Sequence, residues 1–206
     1  MRIIVFLYLV CASFFSHNLY AQGNSDYTCL KNINPSNPDN PIFKTLSSST
    51  YPICFSLPVG MLTLSLINKD EKGKKVAFEI AGGLLVTATA TGILKKLVNR
   101  PRPYETYDDI YPDVRENGNS FPSGHTSMAF STATSLMLTT KKWYLAAPAY
   151  AWAVSVGYSR MYLGQHYPSD VIAGAVVGAG GAYLTHLINS KWLHKDLSKK
   201  KKLQVP

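Results

Sequence analysis

The sequence predicts an all-α, membrane-embedded helical bundle of about five spanning helices, preceded by an N-terminal signal-like segment. Three observations predict it. Five apolar segments approach the length of a membrane span, about 20 residues with a range near 17 to 25. Charged residues make up only 16% of the 206-residue chain, against roughly 25% in ordinary soluble domains. The lysines, finally, fall where a single alternating topology needs them.

Residues 1–21 have the pattern of an export signal. Arg2 is a short positive region, Ile3 to Val10 is an apolar core, and Leu19-Tyr20-Ala21 offers cleavage chemistry before Gln22. If the segment is retained, it becomes a first membrane helix. Cys11 follows Val10 rather than a small residue, which argues against a lipoprotein anchor. Residues 22–50 are polar and rich in Pro, Asn and Ser, with turn signals at Asn34-Pro35 and Asn37-Pro38. Cys29 and Cys54 do not make a disulfide framework.

The expected bundle occupies residues 51–190. Its apolar segments are Tyr51 to Ile67, Val76 to Leu94, Ser123 to Thr140, Trp143 to Tyr158 and Val171 to Ile188. Gly174, Gly178 and Gly181 in the last would let helices pack closely. A soluble bundle would show segments of similar length, so charge placement has to separate the two. If residue 22 lies outside, the first inside loop holds Lys69, Lys72, Lys74 and Lys75, and the second holds Lys141 and Lys142. The basic tail, residues 191–206, then also lies inside, with Lys191, Lys195 and Lys199 to Lys202. The outside loop from Lys95 to Pro122 balances five basic against five acidic residues. Lysine-rich inside loops follow the positive-inside rule.

The net charge of +9 suits nucleic acid, anionic lipid or a phosphorylated substrate. The basic tail lacks aromatic interleaving, so an anionic membrane surface explains it and nucleic acid is not expected as a partner.

Three clusters carry chemistry, and this topology puts all of them outside. Lys95 and Arg102, followed by Pro103, lie where prolines should stop a helix. They could bind an anion or simply answer a helix dipole. Phe121-Pro122-Ser123-Gly124-His125-Thr126 reads as a helix start, with free N–H groups and a glycine that admits close approach. An ordinary N-cap would look similar. Ser159-Arg160, His166 and Asp170 offer a guanidinium fork and a histidine with a carboxylate partner. Asp170 could equally cap the helix that follows. Together they supply what phosphoryl transfer needs: cations around the oxygens, a nucleophile and a proton donor.

These residues resemble the type 2 phosphatidic acid phosphatase superfamily. Its pattern is Lys, six residues, Arg-Pro; then Pro-Ser-Gly-His; then Ser-Arg, five residues, His, three residues, Asp. Lys95 to Arg102-Pro103, Pro122 to His125, and Ser159-Arg160 with His166 and Asp170 match it at every position and gap. The resemblance implies that His166 is the nucleophile and forms a phosphohistidine, that Asp170 orients it, and that His125 is the general acid. It implies that Lys95, Arg102, Ser123, Gly124 and Arg160 bind the substrate phosphate. It implies neither a metal nor another cofactor, because arginine and lysine supply the charge. The membrane branch often carries six spanning helices, a count reached here only if the signal-like segment is retained.

The expected substrate is a phosphorylated membrane lipid of the cell envelope: undecaprenyl pyrophosphate, phosphatidylglycerophosphate, phosphatidic acid or lipid A. The expected location is a bacterial inner membrane with the site on the periplasmic face. A soluble periplasmic acid phosphatase is the alternative, and a catalytically inactive lipid-binding protein a further one. A vanadate-dependent haloperoxidase would need a longer chain. Head-group choice is expected to lie in residues 22–50 and 105–119, where Tyr107 and Tyr111, with Tyr104 at the edge, could line an interface or simply pack.

Overall fold

This computed structural model describes residues 22–202, and their side chains from 25 to 190. The signal-like segment and the side chains of the basic tail lie outside the described residues. Among the described residues every regular element is a helix: α1 Gln22–Ile33, α2 Pro41–Ser48, α3 Thr50–Ile67, α4 Glu71–Val98, α5 Pro103–Thr106, α6 Gly124–Thr140, α7 Trp143–Tyr162 and α8 Pro168–Lys202.

The polar stretch before the bundle is more ordered than its composition suggests. The turn falls at the Asn-Pro signals, but α1 and α2 flank it. Tertiary contacts account for the difference. Leu30 on α1 is fully buried beside Ile110 and Tyr167. The Asn34 side chain donates to the carbonyls of Tyr111 (2.8 Å) and Tyr162 (2.9 Å). Asn40 caps α2 by accepting from the Ile42 N–H at 2.9 Å, with Pro41 at the first helical position. Cys29 and Cys54 are both free thiols.

Asp70 starts α4 by accepting from the Lys72 N–H at 3.0 Å. Asn99 ends it in the left-handed conformation, φ 49°, and Pro101 and Pro103 prevent its continuation. The helices alternate in direction, so the ends of α4 and α7 and the starts of α6 and α8 share one end of the bundle. The lysine loops 68–75 and 141–142 lie at the other.

Helix α6 runs through the centre. Ser127, Ala129, Ser131 and Ala133 are fully buried, and Thr87 on α4 donates to Ser131 at 3.0 Å. The small residues permit close packing. A Cβ on Gly174 would lie 2.8 Å from the Ser123 carbonyl, and one on Gly178 would lie 2.1 Å from the Ser127 carbonyl. Only glycine lets the α8 backbone approach α6 this far.

Among the described residues three helices are long and apolar enough to cross a membrane by length and composition: Thr50–Ile67, Glu71–Thr106 (with α5 counted on) and Pro168–Ser190. They present Phe55, Val59, Phe78, Leu85, Ile172 and Val176 outward, each more than half exposed. A lipid-facing surface accounts for so much exposed apolar area. Helices α6 and α7, the other two expected spans, run alongside them. With only 17 residues, many of them Ser or Thr, α6 faces protein on most sides and needs no apolar exterior. In α7 aromatic residues and Arg160 dilute the apolar character.

Candidate active site

His166 lies in the short turn between α7 and α8 and is 1% exposed. Asp170 follows in the first turn of α8, fully buried. Its Oδ2 stands 3.6 Å from His166 Nδ1. That distance exceeds an ordinary hydrogen bond, and the Ser120 hydroxyl mediates: it donates to Asp170 Oδ2 and sits 3.4 Å from Nδ1. The Tyr167 N–H also donates to Oδ2, at 3.0 Å. With Nδ1 turned toward this group, Nε2 is the ring nitrogen left for chemistry.

Burial pushes the His166 pKa down to about 4; Asp170 opposes the shift and the Arg160 and Arg102 charges reinforce it. The ring is therefore neutral at physiological pH, as a nitrogen nucleophile requires.

Arg102 and Arg160 are 3% exposed each. Arg102 donates to the Gly118 carbonyl at 3.0 Å and to the carbonyl and side-chain oxygen of Gln165 at 3.2 Å each, which ties it to the residue before His166. Arg160 donates to Ser47 Oγ on α2 at 2.7 Å. Both reach Glu116: Arg160 Nη2 to Oε1 at 2.6 Å and Arg102 Nη2 to Oε2 at 3.0 Å. Burial raises the Glu116 pKa, but Arg160, Arg102 and His125 outweigh it and hold the carboxyl at about 2. Lys95, near the end of α4, donates to the Asn119 carbonyl, and Asn119 donates back to the Lys95 carbonyl at 2.8 Å.

Ser123 is the N-cap of α6 and fully buried; its side chain makes no cap bond and instead accepts from Thr126 at 2.9 Å. Its N–H donates to the Asp170 carbonyl at 3.0 Å, which joins the start of α6 to the start of α8. Gly124 is not required by packing, since a Cβ there would meet nothing closer than the Tyr51 hydroxyl at 3.6 Å. That space, at a helix N-terminus, is open to an anion. The His125 ring packs edge-on against Tyr51, centroids 4.7 Å apart.

All eight expected site residues thus gather at one end of the bundle. Several residues around them escape sequence reasoning. Arg100 donates to Asp170 Oδ1 at 2.7 Å and to Asp26 Oδ2 at 2.9 Å. Ser120, Glu116, Ser47 and Tyr51 join the site in the same way, through contacts rather than motifs. In the sequence Arg100 and Glu116 read only as loop charges, although a basic residue directly before Pro101 and two positions from Arg102 is a usable signal. Of the loop tyrosines, Tyr104 is buried with its hydroxyl on the Glu116 backbone, Tyr107 stacks on Tyr27 at 4.2 Å, and Tyr111 is exposed.

The family model of the PAP2 superfamily matches residues 76–193. A lipid A 4'-phosphatase of Bacteroides thetaiotaomicron is 36% identical over 104 residues, covering 48% of this chain and 46% of that protein. An undecaprenyl-diphosphatase of Sulfolobus acidocaldarius is 29% identical over 121 residues, covering 58% of each. The chain thus spans about half the length of these curated relatives. The crystal structure of a transmembrane PAP2-type phosphatidylglycerolphosphate phosphatase from Bacillus subtilis shares the fold, with TM-score 0.67 and 24% identity over 92% of this chain and 96% of that one. A match running from α4 through the membrane-spanning part of α8, and so across all three motif clusters, shows that this chain belongs to the PAP2 superfamily.

Proposed function

We propose that this chain hydrolyses a phosphate or pyrophosphate group from a membrane lipid through a phosphohistidine, on the periplasmic face of a bacterial inner membrane. The observation that carries the reading is the buried His166, set beside Asp170 and two buried arginines at the end of an apolar bundle. His166 Nε2 attacks phosphorus while the bond to the leaving oxygen breaks, and His125 gives that oxygen its proton. Asp170 holds the ring and stabilises the charge it gains. Lys95, Arg102, Arg160, Ser123 and the Gly124 N–H stabilise the phosphoryl oxygens. A water then loses its proton to His125 and attacks phosphorus, the N–P bond breaks, and inorganic phosphate leaves.

Residues 51–190 carry this chemistry in the proposal. The lysine loops at the opposite end of the bundle support a cytoplasmic side there, and with it a site facing outward. The names of the two relatives make lipid A and undecaprenyl diphosphate the first substrates to test.

The experiment is phosphate release by detergent-purified protein from undecaprenyl pyrophosphate, lipid A, phosphatidic acid and phosphatidylglycerophosphate, beside His166→Ala. Release from one lipid, lost in the variant, is the expected result. Release only from small soluble phosphomonoesters would replace this reading with a non-specific acid phosphatase. No release from any phosphate, as a lipid-binding protein would give, would end it.

A further inference from the structure

The Asp170 carboxylate is held on both sides, and the arginine on the second side is anchored by a part of the chain outside the family match. Oδ2 receives the Ser120 hydroxyl and the Tyr167 N–H and faces His166. Oδ1 receives Arg100 Nη1 at 2.7 Å. The same nitrogen donates to Ser169 Oγ at 2.7 Å, and the guanidinium lies 3.8 Å over the Tyr167 ring. Nη2 donates to Asp26 on α1, at 2.9 Å. Asp26 also accepts the Ser169 N–H at 3.1 Å and the Ser169 hydroxyl.

Arg100 acts on the other oxygen as well. Its carbonyl accepts the Ser120 N–H at 2.8 Å, and the Ser120 hydroxyl is the group on Oδ2. Arg100 therefore bears on both Asp170 oxygens, on Oδ1 with its side chain and on Oδ2 with its backbone through Ser120, where the Tyr167 N–H also donates. Both of its Nη atoms are engaged by Asp26, Ser169 and Asp170, and its plane lies over Tyr167.

A carboxylate with no exposed surface needs fixed donors to stay ionised and in one orientation. At 3.6 Å from His166 Nδ1, a small rotation of Asp170 decides whether the two groups meet. Positioning of this kind is worth large factors in rate, because the reacting geometry tolerates little displacement.

We infer that Arg100, anchored by Asp26 on the N-terminal helix, is a positioning residue that acts through Asp170 on His166. Helix α1 is thereby part of the support of the site, although it precedes the family-matched segment 76–193. The inference rests on the proposed function, and the experiment is built to separate the two.

The probe is p-nitrophenyl phosphate, with the full chain in detergent. Arg100→Ala is expected to lower kcat about 10- to 100-fold, the scale on which a small misplacement of reacting groups acts, with KM changed less than about twofold because the phosphate clamp is untouched. Arg100→Lys restores part of the rate, since a point charge replaces the fork. In an Asp170→Asn background, Arg100→Ala costs almost nothing more, because the group it acts through is gone. Full additivity in that background, or a raised KM at unchanged kcat, overturns the inference.

If Arg100→Ala does not fold, Asp26→Asn keeps the arginine and releases its anchor. A kcat loss at constant KM, absent in the Asp170→Asn background, is expected there too; unchanged kcat overturns the inference. If the wild-type protein shows no His166-dependent turnover, the proposed function fails. The 15N ring signals of His166 then carry the test. Arg100→Ala must move the Nδ1 signal in the direction that Asp170→Asn does, and an unmoved signal overturns the inference by itself.

Discussion

Glu116 Oε1 accepts from Arg160 Nη2 at 2.6 Å, and its other oxygen stands 3.0 Å from Arg102. The two arginines expected to grip phosphate thus share one carboxylate. Buried guanidiniums without a counter-ion would be costly, and Glu116 supplies it. With its pKa held at about 2, protonation does not release it at working pH. An incoming phosphate has to displace it.

Glu116→Gln is therefore expected to tighten competitive inhibition by inorganic phosphate at least tenfold and to lower KM in parallel. One charge-assisted hydrogen bond is worth about 1.5–3 kcal/mol, and a competitor of that strength weakens every ligand of the seat alike. Phosphate should also raise the melting temperature of the variant more than that of the wild type. An unchanged inhibition constant would mean that Glu116 stays paired when phosphate binds.

His125→Ala separates leaving groups. Nitrophenolate departs without a proton, whereas a lipid alkoxide needs one. The variant should lose about 10²- to 10⁴-fold on the lipid substrate, the usual contribution of general acid catalysis, and clearly less on p-nitrophenyl phosphate. Equal losses on both would remove His125 from the general-acid role.

Burial gives His166 an acid-side signature in stability. Its folded pKa of about 4 lies below the ordinary 6.5, so between these values the unfolded chain binds the proton and the folded chain does not. Stability is full above pH 6.5 and is lost as pH falls toward 4, by about 3 kcal/mol at the bottom of that window. Glu116 is depressed as well, from 4.5 to about 2, and its contribution is lost only at lower pH. Melting curves in detergent between pH 7 and 4.5 should show the decline in the wild type and a shallower one in His166→Asn. A flat wild-type curve down to pH 4.5 would contradict the assignment.

The motif residues are legible in the sequence because their chemistry depends on spacing within short stretches of chain. His166 stands four residues before Asp170, and Ser123 to His125 start a helix. What surrounds them is not legible, because it depends on distant chain segments meeting. Asp26 reaches Ser169 across 143 positions and Arg160 reaches Ser47 across 113. Helix α1 has little apolar periodicity of its own; Leu30 and Asp26 hold it in place through contacts that only the assembled fold provides. The spans on α3, α4 and α8 are visible as apolar runs, whereas the central position of α6, which frees it from an apolar exterior, is not.

Two glycines on α8 test whether close helix packing sets the site. A Cβ on Gly178 would lie 2.1 Å from the Ser127 carbonyl and 2.9 Å from the Ser131 nitrogen, both backbone atoms of α6. Neither can move without shifting the helix. Because α6 begins at Ser123 and His125, while α8 begins beside His166, separating them displaces the two histidines relative to each other. Gly178→Ala should destabilise the protein by about 1–3 kcal/mol, the range for overpacking, and lower kcat as well. Gly180 is the control, because a Cβ added there would have nothing within 4 Å. Gly180→Ala should leave kcat unchanged and raise stability by about 0.5–1 kcal/mol, since alanine is the better helix former. Melting temperature and turnover measured on both variants check this, and equal behaviour of the two would show that the α6–α8 contact does not set the geometry of the site.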